Sequence, residues 1–197
     1  TADHGAAHAE GYMEANKMAT GFFGTDFEKT LNTKLKEKFG EDKMIWAIDN
    51  YQVYLNNNLI KKKNLDRDKI KEEVVKILKQ DPTVLYAVDL DEVAEASIPE
   101  PIKTRIINGY NWQRSGDIQV ISHDGMLPPY SKTGTTHSVW NSYDSHIPLI
   151  FMGTGVKNGQ SNKPHFMTDI APTLAQFLKI ENPSGNIGNP IPEVTEK

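Results

Sequence analysis

A chain of 197 residues, 38% hydrophobic and 24% charged, is long enough to bury a substantial core, as one domain or as a core with an inserted lobe. Its net charge of −4 and pI near 5.9 leave no basic excess to displace counterions from a phosphate backbone, which argues against nucleic acid as the main partner. The absence of cysteine excludes disulfides, a thiolate nucleophile and Cys-based zinc, and with no apolar run of about 18 residues no membrane-spanning helix is expected.

The chain opens on TADHGAAH, at what reads as the tip of a strand whose body is missing. With no signal peptide in view, this start at Thr1 is expected of a piece of a longer protein. Thr25-Asp26 then reads as the cap of a helix with Phe27, Leu31 and Leu35 at four-residue intervals, ending near Phe39-Gly40. Residues 44–61 predict two strands joined at Asn56-Asn57-Asn58, which tolerates left-handed backbone, with Lys61-Lys62-Lys63 as a solvated strand end. Asp66 opens a second helix to about Lys79 with Ile70, Val74, Ile77 and Leu78 on one face, and residues 83–88 form a short strand. Helix, strand, strand, helix, strand over residues 25–90 is the order of a two-layer α+β lobe.

Helical patterns resume at about 91–96 and 101–110, and residues 117–122 read as a strand. Met126 to His146 is a long loop rich in Gly, Pro, Ser, Thr and aromatics, of a length that points to function. Pro148 to Met152 suits a buried strand. Thr168 or Asp169 caps a last helix with Pro172 in its first turn and Ile170, Leu174, Phe177 and Leu178 on one face, before an irregular tail.

Two words carry chemistry. Asp3 and His4, adjacent and closed by Gly5, converge on one point only where the backbone turns; carboxylate and imidazole are the non-sulfur ligands that zinc prefers. Taken alone, Asp-His-Gly reads first as an ordinary polar turn. GTTHS, residues 134–138, adds His137 as a second ligand type far along the chain.

The other histidines have plainer readings: His8 as an exposed loop residue rather than a partner of a ligand, His123-Asp124-Gly125 as a turn, His146 in a structural hydrogen bond, and His165 in the connection before the last helix. Tyr110, Trp112, Tyr130, Trp140 and Tyr143 suit a substrate cleft and packing beneath the long loop equally well.

Together these words resemble the C-terminal part of the alkaline phosphatase superfamily, especially its type I phosphodiesterase and nucleotide pyrophosphatase-like group and the bacterial alkaline phosphatases with a threonine nucleophile. TADHG resembles the family's Asp-His pair after a core strand. GTTHS resembles its GTTHG segment, with Ser138 where Gly is commoner. DSHIPLIFMGTGV and DIAPTLAQFL resemble the strand and helix that follow. The resemblance covers residues 1–24 and 115–190, while the middle of the chain matches mainly in its place.

The resemblance implies an α/β fold: 1–24 and 115–197 as catalytic-core segments, and 25–114 as an inserted α+β lobe. It implies a zinc-dependent phosphomonoesterase working through two zinc ions and a phospho-enzyme. Asp3 and His4 would bind the zinc that activates the nucleophile, and His137 the other; the nucleophile and remaining ligands would lie upstream of Thr1, so no catalytic residue is assigned here. Alternatives are a phosphodiesterase or nucleotide pyrophosphatase with the same metals, a sulfatase-like hydrolase, which GTTHS disfavours, or a non-catalytic module on this scaffold. The expected partners are small phosphate esters and the missing N-terminal half of the parent. The parent is expected in the periplasm or secreted, and the isolated chain is expected to be inactive and prone to self-association.

Overall fold

The structure, a computed structural model, describes residues 1–127, 134–137 and 140–196. The chain divides into two units, one of residues 2–147 and one of Thr1 with residues 148–197.

In the larger unit a short helix α1 (Glu10–Ala15) and a two-residue strand β1 (Gly21–Phe22) lead into α2 (Phe27–Phe39), which buries Phe27, Leu31 and Leu35. Gly40 ends α2 in the left-handed region (φ +79°), its N–H donating to Lys36 O. The expected cap is not made: Asp26 is itself left-handed (φ 58°) and its side chain makes no capping bond. Strands β2 (Ile45–Asp49) and β3 (Gln52–Leu55) then form an antiparallel hairpin whose turn is Asn50-Tyr51, both residues with positive φ.

The expected turn at Asn56–Asn58 is therefore corrected. Asn56 caps a short helix α3 (Asn57–Lys62), accepting from Leu59 N, and the lysine run closes that helix instead of a strand. Asn serves left-handed turns and helix caps alike, so its type alone did not distinguish them. Helix α4 (Arg67–Leu78) begins as expected, with Asp66 accepting from Lys69 N and Ile70, Val74, Ile77 and Leu78 buried.

After β4 (Val84–Asp89) come a 3-10 segment (Leu90–Glu95), α5 (Glu100–Gly109), β5 (Ile118–Ser122) and a two-residue β6 (Met126–Leu127). The four-stranded sheet has the order β2-β3-β5-β4, each adjacent pair antiparallel. Its two faces carry separate apolar clusters. On one, Val53, Ile118 and Val120 pack with Leu31, Leu35, Ile70 and Val74 of α2 and α4; on the other, Val88 and Ile121 pack with Leu90, Val93 and Ile106. Covered on both faces and paired on both edges, β5 is buried at all five positions. Residues 118–122, expected within the core segment 115–197, pair here with β3 on one edge and β4 on the other. Beside it, β1 and β6 pair in parallel, Gly21 opposite Met126 and Phe22 opposite Leu127.

A charge cluster ties α4 to this sheet. The Lys71 side chain, 4% exposed, reaches Asp89 at 2.8 Å, Asp91 at 3.0 Å and Asp68 at 3.2 Å. Arg67 reaches Asp91 at 2.8 Å and Asp117 at 2.6 Å, and Asp117 also accepts from Leu55 N. Burial works against the charge on Lys71, but hydrogen bonds to Asp89 and Asp91 outweigh it and raise its pKa above the usual lysine range. Hydrogen bonds from Arg67 first, then Lys71, hold the Asp91 carboxyl well below the usual carboxylate range.

The smaller unit is built around α7 (Ile170–Leu178), entered through a 3-10 turn at Met167–Asp169, and closes on a short helix (Pro192–Thr195). Asp169 does not cap α7; its carboxylate accepts from Phe166 N and from Asn189 N, both at 2.9 Å. Thr173, fully buried, donates to Asp169 O and accepts from Ile191 N, strapping the tail onto the helix. His165 lies in the connection as expected, between Asp169 and Glu193; the Glu193 carboxyl is lowered to about 2 by its own backbone N–H and by Lys163. Residues 148–152 are not a strand, and Ile150 and Met152 are 75% and 95% exposed. The strand expectation fails because a strand exists only with a paired neighbour, and none is found among the described residues. Leu174 and Leu178, expected to face a core, are also exposed.

Candidate metal centre

The opening word turns where its residue types require: the chain bends at Asp3, and the Asp3 carboxylate accepts the His4 backbone N–H at 3.1 Å. Nδ1 of His4 lies 2.6 Å from Gly5 O. A carbonyl oxygen only accepts, so Nδ1 carries the proton and Nε2 is the nitrogen left to bind a metal, the arrangement that orients histidine ligands generally. That Nε2 stands 3.6 Å from Asp3 Oδ2. Two donors of one tetrahedral zinc with bonds of about 2.0–2.2 Å stand roughly 3.3–3.6 Å apart, so the pair fits a shared ion.

His137 is brought to the same place from 133 residues away in sequence. Its ring stacks on His4 with centroids 3.6 Å apart and planes 17° from parallel. That separation is of the order of the ~3.5–4 Å between the ions of two-metal sites, so one ring per ion is a compatible donor set. Among the described residues no three His, Asp or Glu side chains converge as a ready-made cage. Asp3 with His4, and His137 alone, would each leave a tetrahedral zinc short of its four ligands.

What holds the two words together was not read from the sequence. The Thr135 hydroxyl donates to Ala7 O, bonding the GTTHS segment to the buried residue three places after His4. From the other side Gly5 N donates to Asp144 O at 2.8 Å, where Asp144 belongs to a one-turn helix α6 (Ser142–Ser145). The approach is so close that a Cβ at Gly5 would lie 1.9 Å from Tyr143 O. Tyr143 in turn accepts from Asn141 Nδ2 and Gly125 N, tying in the expected turn at His123-Asp124-Gly125. A Gly in the opening word and a second hydroxyl type in GTTHS were the available signals, but neither names its partner.

The remaining candidates separate. His8 is exposed and meets the Tyr12 ring at 4.6 Å, and His146 is exposed. Tyr110 donates to Asp91 and Trp140 packs against the second apolar cluster, both structural roles, while Trp112 is 76% exposed. Ser138 and Tyr130 lie outside the described residues.

No family model matches the chain. It is 60% identical over 194 residues to alkaline phosphatase PafA of Elizabethkingia meningoseptica, and 42% identical over 194 residues to alkaline phosphatase PhoV of Synechococcus elongatus. It is also 46% identical over 206 residues to a Myroides odoratus protein named calcium-transporting ATPase. These alignments take in 98%, 98% and 100% of the chain but 36%, 35% and 36% of the relatives, so the chain spans little more than a third of their length. The crystal structure of wild-type PafA superposes with a TM-score of 0.90 over 98% of the chain and 37% of that structure, at 60% identity.

Proposed function

Because this chain belongs to the alkaline phosphatase superfamily, we propose that it forms part of a zinc-dependent phosphomonoesterase, contributing Asp3 and His4 to one zinc and His137 to a second. The observation that carries the reading is the stack of His4 on His137, which sets donors from two distant words side by side. The ions, when bound, supply positive charge for the transferring phosphoryl group and for the attacking and leaving oxygens.

The chain's own residues do the holding. Gly5 O keeps the His4 proton on Nδ1, so Nε2 faces the metal side. Asp3 adds an anionic oxygen beside it. The Gly5–Asp144 bond keeps this turn from relaxing when the charge at the site changes. A hydroxyl nucleophile and the missing ligands come from outside these residues, so the isolated chain should show no turnover. By the same resemblance the complete protein works in the periplasm or outside the cell.

A nucleotide is the second substrate reading, supported by the 46% identity to a protein named as an ATPase. The terminal phosphate of a nucleoside triphosphate and a phosphomonoester both present an oxygen-rich dianionic group to the same ions, whereas a diester carries less charge and a second substituent. The test is His137→Ala in the complete protein, assayed for zinc by mass spectrometry and for turnover of an aryl phosphate, a bis-aryl phosphodiester and ATP. Loss of one zinc with loss of monoester turnover is expected. Full zinc content at an unchanged rate overturns the assignment, and faster hydrolysis of ATP or diester by the unmodified protein overturns the substrate class.

A further inference from the structure

We propose that Thr135 is a positioning residue: its hydroxyl, bonded to Ala7 O, latches the His137 segment onto the His4 turn and so fixes the spacing between the two zinc half-sites. The inference rests on the two-zinc reading above and assigns a role to a residue that binds no metal.

His137 is restrained by its surroundings and not by its own backbone. It stands on irregular backbone after Gly134 (φ +125°) and is exposed, so neither a helix nor a strand sets its position. Stacking of two imidazoles fixes the separation of the planes but lets the rings slide across each other. The Thr135 hydroxyl, two residues before His137, supplies a directed bond that sets the register. Its acceptor is well chosen. Ala7 is itself buried, at 6% exposure, and His4 lies three residues upstream on the same segment. The Gly5–Asp144 bond anchors that segment from elsewhere in the chain, which makes it the fixed member and the His137 segment the one being held.

A single hydrogen bond of this kind shifts the balance between docked and undocked segment by about threefold to tenfold. Apparent affinity scales with the fraction of protein in the binding-competent arrangement, so the zinc that needs His137 should weaken by up to that factor.

The experiment uses the complete protein with Thr135→Val, which keeps the shape and removes the donor, Thr135→Ser, which restores the donor, and His137→Ala as reference. Zinc retention is measured by competition with a chelator. Ring-proton shifts of His4 and His137 are measured in the metal-free protein, where stacked rings shield one another. Thr135→Val should lose one zinc up to about tenfold more readily and show reduced mutual ring shifts, with the second zinc and the melting temperature unchanged, and Thr135→Ser should recover both signals. If His137→Ala loses a zinc while Thr135→Val keeps wild-type retention and ring shifts, the latch is overturned and the zinc reading stands. Failure of Thr135→Ser to recover either signal overturns it as well. If His137→Ala keeps both zinc ions, the zinc reading itself is overturned and the latch falls with it.

Discussion

Gly5→Ala is the most direct probe of the site's construction. An added methyl carbon would lie 1.9 Å from Tyr143 O and 3.0 Å from its carbonyl carbon, and both are backbone atoms that no side-chain rotation can remove. Restoring an ordinary carbon–oxygen contact requires the two segments to part by about 1 Å or more. The 2.8 Å bond from Gly5 N to Asp144 O joins the same segments and would be lost in the process. Overpacking of this kind costs about 1–3 kcal/mol of stability. The functional effect adds to this, because Gly5 O also holds the His4 ring: a ~1 Å misplacement at a reacting centre lowers rate about 100-fold, equal to about 2.7 kcal/mol of barrier.

The assay is aryl phosphate turnover and zinc content of the complete protein, with circular dichroism to confirm folding. Gly11→Ala serves as control, since nothing lies within 4 Å of a Cβ there and Gly11 sits in helix α1. It should leave the rate unchanged and add up to about 0.5–1 kcal/mol of stability. A folded Gly5→Ala protein with full zinc and undiminished turnover would refute the claim that this close approach positions the ligands.

Lys71→Met should destabilise the lobe by about 2–4 kcal/mol in urea titration, somewhat less than for a fully enclosed pair because Asp68 and Asp91 keep contact with water; a change under about 1 kcal/mol would show the cluster to be dispensable. Asp91 has a depressed folded pKa, so its contribution is present above the unfolded value near 3.8 and is lost as pH falls toward the lower folded value. Asp91→Asn should therefore flatten the acid limb of the urea midpoint between about pH 5 and pH 2, and parallel profiles for the two proteins would rule this out.

Because β1 and β6 pair in parallel, the chain leaves for the lobe and returns beside its own exit. Joining Phe23 to Gly125 must bridge roughly 11 Å at a strand rise of about 3.3 Å and spacing of about 4.8 Å, which a short Gly-Ser linker spans. The excision should keep zinc binding and change the preference between small and bulky phosphate esters, and a folded excision product without zinc would refute the division into core and lobe.

Local signals were legible and partnerships were not. Helices α2 and α4 followed from four-residue apolar spacing, because a helix buries a stripe that it writes itself. The hairpin turn was misplaced by about six residues: Tyr51 in a left-handed position gives no compositional sign, while three asparagines gave a strong one for a turn that became a helix cap. Strand β5 was recognised as a strand, but the apolar Ile118, Val120 and Ile121 say that it is covered without saying by what. At the site, Asp3, His4 and His137 were named from ligand chemistry and family words. Thr135 and Gly5 hold the site through a hydroxyl and a missing methyl, features too common in sequence to mark a contact.

The segment 148–152 shows the same limit from the other side. Its pattern is that of a buried strand, yet Ile150 and Met152 are exposed, along with Phe166, Leu174, Leu178 and Ile180 of the same unit. Strand formation depends on ladder partners and helix burial on a facing layer, so apolar pattern is a demand for neighbours and not evidence that they are present. The two units contrast on this point. In the larger, β5 meets that demand with β3 and β4 on its edges and apolar clusters on both faces. In the smaller, the tail satisfies polar demand through Asp169 and Thr173 while the apolar side chains remain open to water. The relatives are nearly three times as long as this chain, and at 148–152 the demand for a ladder partner goes unmet among the described residues, so a strand pattern there gives no strand.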